Sequence, residues 1–164
     1  MAQAVQACTM DAWVGVGLSL DRDKRLQLVS SDGAPVARAS RRARILIVED
    51  DELLMRALRR SISQVHDVTS AVDGQAALEL IEAGARFDVV FCDIMMPRLD
   101  GIELYEAVRD RFPELSSRFV MMSGAIHTER AQEFLKREKP AFVEKPFYVE
   151  ILDLLINERL RVVP

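Results

Sequence analysis

The segment "FDVVFCDIMMPRLDG" (Phe87–Gly101) runs apolar from Val89 through Cys92 and then sets a carboxylate, Asp93, where a buried strand should finish. No polar residue alternates with Val89, Val90, Phe91 and Cys92. A run of that kind is expected of a strand covered on both faces, as in a parallel sheet. A methionine pair and Pro97 follow at once. Asp93 is therefore either an ordinary strand-terminating turn residue or a carboxylate that a strand has been built to hold in place.

Working outward from this strand, the same pattern recurs. "RILIVE" (44–49) and "RFVMMS" (118–123) are further continuous apolar runs, "AFVE" (141–144) is a shorter one, and "HDVTSA" (66–71) alternates weakly. Helical spacing fills the gaps. Leu54, Leu58 and Ile62 recur within 52–63, and Ala76, Ala77, Leu80 and Ile81 share a stripe behind a capping Asp73. The remaining helices are predicted over 100–111, ending at Pro113, over 128–139, stopped by Pro140, and over 148–161. Strand and helix alternate five times. Such alternation predicts an α/β domain with a parallel sheet and helices on both faces, joined by right-handed crossovers.

The first 43 residues read differently. They carry six Lys/Arg and four Asp/Glu, a net of +2, whereas residues 44–164 carry sixteen and twenty-two, a net of −6. "WVGVGLSLDRDKRLQLVS" (13–30) has the alternation of a hairpin, which must pack on something or stay mobile. "SSDGAPVARASRRAR" (30–44) reads as a linker whose Arg38, Arg41 and Arg42 are expected in solvent. The expected division is thus a leader over 1–43 and a domain over 44–164. The sheet is complete without residues 1–42, so their removal is expected to leave the fold intact. Net charge is −4 and 49% of residues are hydrophobic, which allows a full core and argues against a chain-wide nucleic-acid surface. Two cysteines, Cys8 and Cys92, make no disulfide framework and predict a reducing cytoplasm. "AWVGVGLSL" is far short of the ~20 residues that span a bilayer, and no basic segment precedes it. Neither His66 nor His127 pairs with a cysteine, and both are expected at the surface or a helix start.

In open α/β sheets the site lies beyond the carboxyl ends of the strands. Here those ends carry Glu49–Asp50 with Asp51 next, then Asp93, Ser123–Gly124 and Lys145–Pro146. Singly, each is an ordinary turn or cap residue. Together they bring three carboxylates, a hydroxyl and an ammonium to one rim. Clustered carboxylates without His or Cys are hard oxygen ligands that suit Mg²⁺. A hydroxyl and an ammonium beside such a cation can hold a phosphoryl group, and a carboxylate can be the nucleophile in its transfer.

"ILIVEDDE", "DVVFCDIMMPRLDG", "VMMSG" and "FVEKPF", in this order and each at a strand end, resemble the receiver domain of bacterial two-component response regulators. The resemblance covers Arg44 to about Arg161. It implies a flavodoxin-like, doubly wound, five-stranded sheet of order 2-1-3-4-5. It implies that Asp93 accepts the phosphoryl group of a phosphohistidine on a histidine kinase or a histidine phosphotransfer protein. Asp50, Asp93 and the backbone carbonyl of Met95 would then ligate Mg²⁺, with Glu49 acting indirectly. Ser123 would bond the phosphoryl oxygens, Lys145 would pair with the phosphate, and the Lys145–Pro146 peptide would be cis. Phe142 takes the aromatic switch position, where the family often has tyrosine. The signal would leave through the surface of the fourth helix, fifth strand and fifth helix, which "KREKPAF" (136–142) alters. Met95 and Ala125 would flank the path of the water that hydrolyses the acyl phosphate.

No helix-turn-helix or other output domain is expected after the last helix. The expectation is a stand-alone receiver, or one cut from a hybrid kinase, acting on an unknown downstream protein, with a homodimer kept open. Two rivals stand beside it. A pseudo-receiver would bind partners without phosphorylation. An aspartyl phosphatase would place an Asp-x-Asp motif at the first strand end, where this chain has contiguous acids.

Overall fold

The computed structural model describes residues 16–20, 26–30, 41–124 and 128–162. β1 (Val16–Leu20) and β2 (Leu26–Ser30) pair antiparallel as a separate two-stranded sheet. β3 (Arg44–Val48), β4 (Asp67–Ala71), β5 (Val89–Asp93), β6 (Phe119–Ser123) and β7 (Ala141–Glu144) form a parallel sheet of order β4-β3-β5-β6-β7. Counted within that sheet alone, the order is 2-1-3-4-5, as the resemblance implied. The helices are α1 (Glu52–Ile62), α2 (Gly74–Glu82), α3 (Gly101–Arg111), α4 (Pro113–Ser116), α5 (Glu129–Glu138) and α6 (Val149–Val162).

The period of two along a strand explains the apolar runs. On β3, Leu46 and Val48 enter one core layer with Val90, Cys92 and Met121, under α2, α3 and α5. Ile45 and Ile47 enter the other with Val89, Phe91, Val120 and Met122, under α1 and α6. Alternate residues thus meet different helix layers, and neither face needs polar side chains. The edge strand β4 is partly exposed, which accounts for its weak alternation.

Caps fix where the helices begin. Asp51 accepts from the Leu53 and Leu54 amides at 2.8 and 3.0 Å, and Asp73 accepts from the Ala76 amide at 2.8 Å. Asp100 and Glu103 form a reciprocal capping box on α3. α3 ends at Arg111 as expected, and Pro113 goes on to open the one-turn α4 at its first position, where a missing N–H costs nothing. One expectation is corrected: His66 is buried rather than at the surface, and its Nδ1 accepts from the Ala43 amide at 3.2 Å. Arg41 and Arg42 are exposed as expected, and they pair with Asp88 at 3.2 Å and Asp67 at 2.9 Å respectively. Arg38, His127 and Cys8 lie outside the described residues.

Asp88 is the hub of the amino-terminal rim. It is 4% exposed, receives the Arg44 amide at 2.8 Å, and pairs with the guanidinium groups of Arg41 and Arg44. Burial pushes its carboxyl up, but those arginines outweigh burial and hold it well below the usual carboxylate range. A depressed folded value contributes stability that is present above the unfolded value of 3.8 and is lost as pH falls below it. Asp88→Asn is therefore expected to cost roughly 2 kcal/mol at neutral pH, less than a fully buried pair because the arginines are half exposed. Its stability should also decline less steeply than wild type below pH 4, measured by urea melts across pH.

Candidate functional site

Glu49, Asp50, Asp93, Ser123 and Lys145 stand at or just past the carboxyl ends of strands. Glu49 follows β3, and its amide still bonds the Ala71 carbonyl of β4 at 3.1 Å. Asp93 closes β5 and Ser123 closes β6. Lys145 follows β7, and its amide bonds the Ser123 carbonyl at 2.7 Å. The neighbouring strands thus hold these residues side by side without help from loops.

The polar groups meet in a small volume. The Lys145 ammonium donates to Glu49 Oε2 at 2.7 Å and to Asp93 Oδ2 at 2.6 Å. The other Asp93 oxygen, Oδ1, accepts from the Met95 amide at 3.2 Å. Carboxylate oxygens of Glu49, Asp50 and Asp93 all lie within 4.8 Å of one another. Glu49 and Asp93 are buried and Asp50 is exposed, so the cluster opens to solvent on the Asp50 side. Burial pushes the Glu49 carboxyl up, with the Asp93 charge adding to it and Lys145 opposing. Burial alone would make Lys145 a weaker base, but its bonds to Asp93 and Glu49 hold its proton more tightly than usual. Cys92 is fully buried, which raises its thiol well above its ordinary value; the Asp93 and Glu49 charges add to the effect. It is a core residue, with no thiolate at neutral pH.

Among the described residues, the donor set consists of oxygens alone, from the three carboxylates of Glu49, Asp50 and Asp93. That fits a hard dication of the Mg²⁺ kind. Among the described residues, Lys145 is the cation that pairs with this cluster.

Other candidates take their places around this core. Ser123 is 1% exposed, in the strand beside Asp93, which pairs with Met122. Phe142 is buried in the layer under α2, α3 and α5, opposite Met121. The Lys145–Pro146 peptide is cis. The Met95 side chain is 55% exposed, and its amide is what bonds Asp93. Ala125 lies outside the described residues.

Two glycines of the site carry roles that residue chemistry did not signal. A Cβ on Gly101 would overlap the carbonyl oxygen of Asp93, and one on Gly74 would overlap that of Leu99. The Gly101 amide bonds the Ile94 carbonyl at 3.1 Å and the Gly74 amide bonds the Leu99 carbonyl at 3.2 Å. The loop after Asp93 is thus clamped between two helix starts. Arg98, at φ 67°, pairs from it with the buried Asp73. The visible signal was the Asp-Gly that opens α3. Gly101→Ala should cost about 2 kcal/mol through overpacking and should displace Asp93. Thermal melts and the rate of reaction with a small phosphodonor check both effects.

The family model described as "Response regulator receiver domain" matches residues 45–157. Response regulator MprA of Mycolicibacterium vanbaalenii is 38% identical over 119 residues, covering 72% of this chain and 50% of that protein. Sensor kinase CckA of Brucella abortus is 27% identical over 165 residues, covering 93% of this chain and 17% of the kinase. The chain therefore spans half or less of the length of these relatives. The receiver domain of the Francisella response regulator 1452 superposes with a TM-score of 0.64 at 28% identity, covering 74% of this chain and 99% of that one.

Proposed function

The chain belongs to the response regulator receiver family, and on that premise we propose that it is a phosphorylation-dependent switch with Asp93 as its acceptor. The family works with histidine kinases. In the proposed reaction an Asp93 carboxylate oxygen attacks the phosphorus of a phosphohistidine. The P–N bond breaks, its electron pair returns to the imidazole, and an acyl phosphate forms on Asp93. Mg²⁺, when bound, would neutralise charge on the phosphoryl oxygens. Asp50, Asp93 and the Met95 carbonyl are the groups we assign to hold it, with Glu49 supporting them. Lys145 is free to leave Asp93 Oδ2 for the incoming phosphate, keeping Glu49 as its second partner. Ser123 would bond a phosphoryl oxygen, and that contact, with Phe142, would pass the change to the α5, β7 and α6 surface. We place the protein in the cytoplasm. Among the described residues, no helix is long and apolar enough to cross a membrane.

The observation that carries this reading is Lys145 bridging Glu49 and Asp93 from three different strand ends. Intact mass after incubation with Mg²⁺ and acetyl phosphate tests it. One labile phosphoryl group is expected; no gain would favour a pseudo-receiver, and steady phosphate release from varied esters would favour a phosphatase.

Met95 bears on how long the phosphorylated state lasts. Its thioether has no good hydrogen bond to offer a water approaching Asp93. Slow self-dephosphorylation is expected, and Met95→Asn should speed it on the order of several-fold by supplying an orienting amide. A time course of phosphate release at constant Mg²⁺ checks this; equal rates count against it.

A further inference from the structure

Helix α6 is buried on two sides, and only one of them faces the sheet. Ile151, Leu152, Leu155 and Ile156 belong to the core layer shared with α1. At about 100° per residue, Leu154 and Asn157 lie on the other side of the helix. A helix that covers the outside of a sheet normally turns that side to water. Yet Leu154 is 8% and Asn157 5% exposed, and Leu154 belongs to neither core layer. The elements that pack on α6 include α1 and, outside the domain, strand β2 of the hairpin.

We propose that the outward face of α6, centred on Leu154 and Asn157, is an interaction surface for a β-hairpin, and that strands β1 and β2 of the same chain occupy it. The need is mutual. A two-stranded hairpin alone is marginal in water, and it joins neither edge of the five-stranded sheet. Leu154 in turn needs an apolar cover. Occupation in cis is within reach. Arg41 is tied to Asp88 at the amino-terminal rim, and α6, running against the strands, returns its carboxyl half toward that rim. The ten residues from 31 to 40 can extend up to about 35 Å. Two consequences follow. Removing residues 1–42 uncovers Leu154 and Asn157 on α6. A partner that reads α6 has to displace the hairpin first, a consequence that rests on the switch function proposed above.

Hydrogen exchange on the full chain tests the surface. Leu154→Lys puts a charge into the contact with little loss of helix propensity, and Asn157→Lys does so one turn further along. Both variants should exchange about tenfold or more faster across 16–20 and 26–30, while β3 and β5 keep their protection. Wild-type protection of the hairpin in both variants, with β3 and β5 intact, overturns the proposal. Where Leu154→Lys also loosens β3, Asn157→Lys alone decides. Hairpin protection in the wild type that falls on dilution would assign the occupant to a second copy and overturn the cis assignment. None of these readouts involves Asp93, so this surface and the phosphorylation of Asp93 stand or fall separately.

Discussion

Asp93→Asn is expected to take up no phosphoryl group from acetyl phosphate in Mg²⁺, where the wild type takes up one. The substitution is close to isosteric, so the fold should survive it. The amide oxygen can keep one of the two contacts of Asp93, that of the Met95 amide with Oδ1 at 3.2 Å or that of Lys145 with Oδ2 at 2.6 Å, and the NH2 group takes the other oxygen's place. Lys145 also keeps Glu49 at 2.7 Å. Losing one negative charge from a cluster of three should leave the unloaded protein as stable as wild type or more so, because the carboxylates repel one another. What is lost is the anionic nucleophile, since an amide oxygen attacks phosphorus far more weakly than a carboxylate. Intact mass and a thermal melt on the same sample separate the two effects. A stable, folded variant with background labelling supports Asp93 as acceptor. A variant that labels at the wild-type rate moves the acceptor elsewhere, with the exposed Asp50 as the next carboxylate to examine.

The legible part of the fold was the part governed by strand patterning. "RILIV", "VVFCD" and "FVMMS" lack polar alternation because both faces of β3, β5 and β6 are covered, and that single fact identifies a parallel sheet. The acidic and basic residues at the strand ends were legible for the same reason, since a parallel sheet delivers all of them to one rim. Less visible were the features that depend on distant partners. His66 reads as a polar residue before a strand, but its ring accepts an amide from the start of β3. Arg41 and Arg42 read as a basic linker, and their partners Asp88 and Asp67 lie 47 and 25 residues away. Gly101 reads as a turn glycine, whereas its missing Cβ is what lets α3 approach the Asp93 carbonyl. Composition and spacing report how a segment meets its own layer; they do not report which remote group completes a buried polar atom.

Lys145→Met should produce the largest change in how the protein responds to metal. The ammonium is the cation that bridges Glu49 and Asp93, which are 2% and 7% exposed. Removing it leaves two buried carboxylates without their partner, a change that costs about 3 kcal/mol when the remaining charge has nowhere to go. For a domain of this size that is a melting point lowered by roughly 10 °C in EDTA. Mg²⁺ should recover much of the loss, because a dication among the same oxygens restores the missing positive charge. The increment should exceed that of the wild type, where the ammonium repels an incoming dication. Adding Asp50→Ala should remove the recovery by taking away the solvent-facing oxygen ligand, while leaving the EDTA melting point nearly unchanged, since Asp50 is exposed. Melts of the four proteins with and without Mg²⁺ give the full cycle. If wild type and Lys145→Met gain equally from Mg²⁺, the ion does not bind where the ammonium acts, and these carboxylates are not the metal site. If only the Asp50 variants lose the gain, the exposed aspartate is the entry ligand, and Lys145 is the charge that occupies the site until metal and phosphate arrive together.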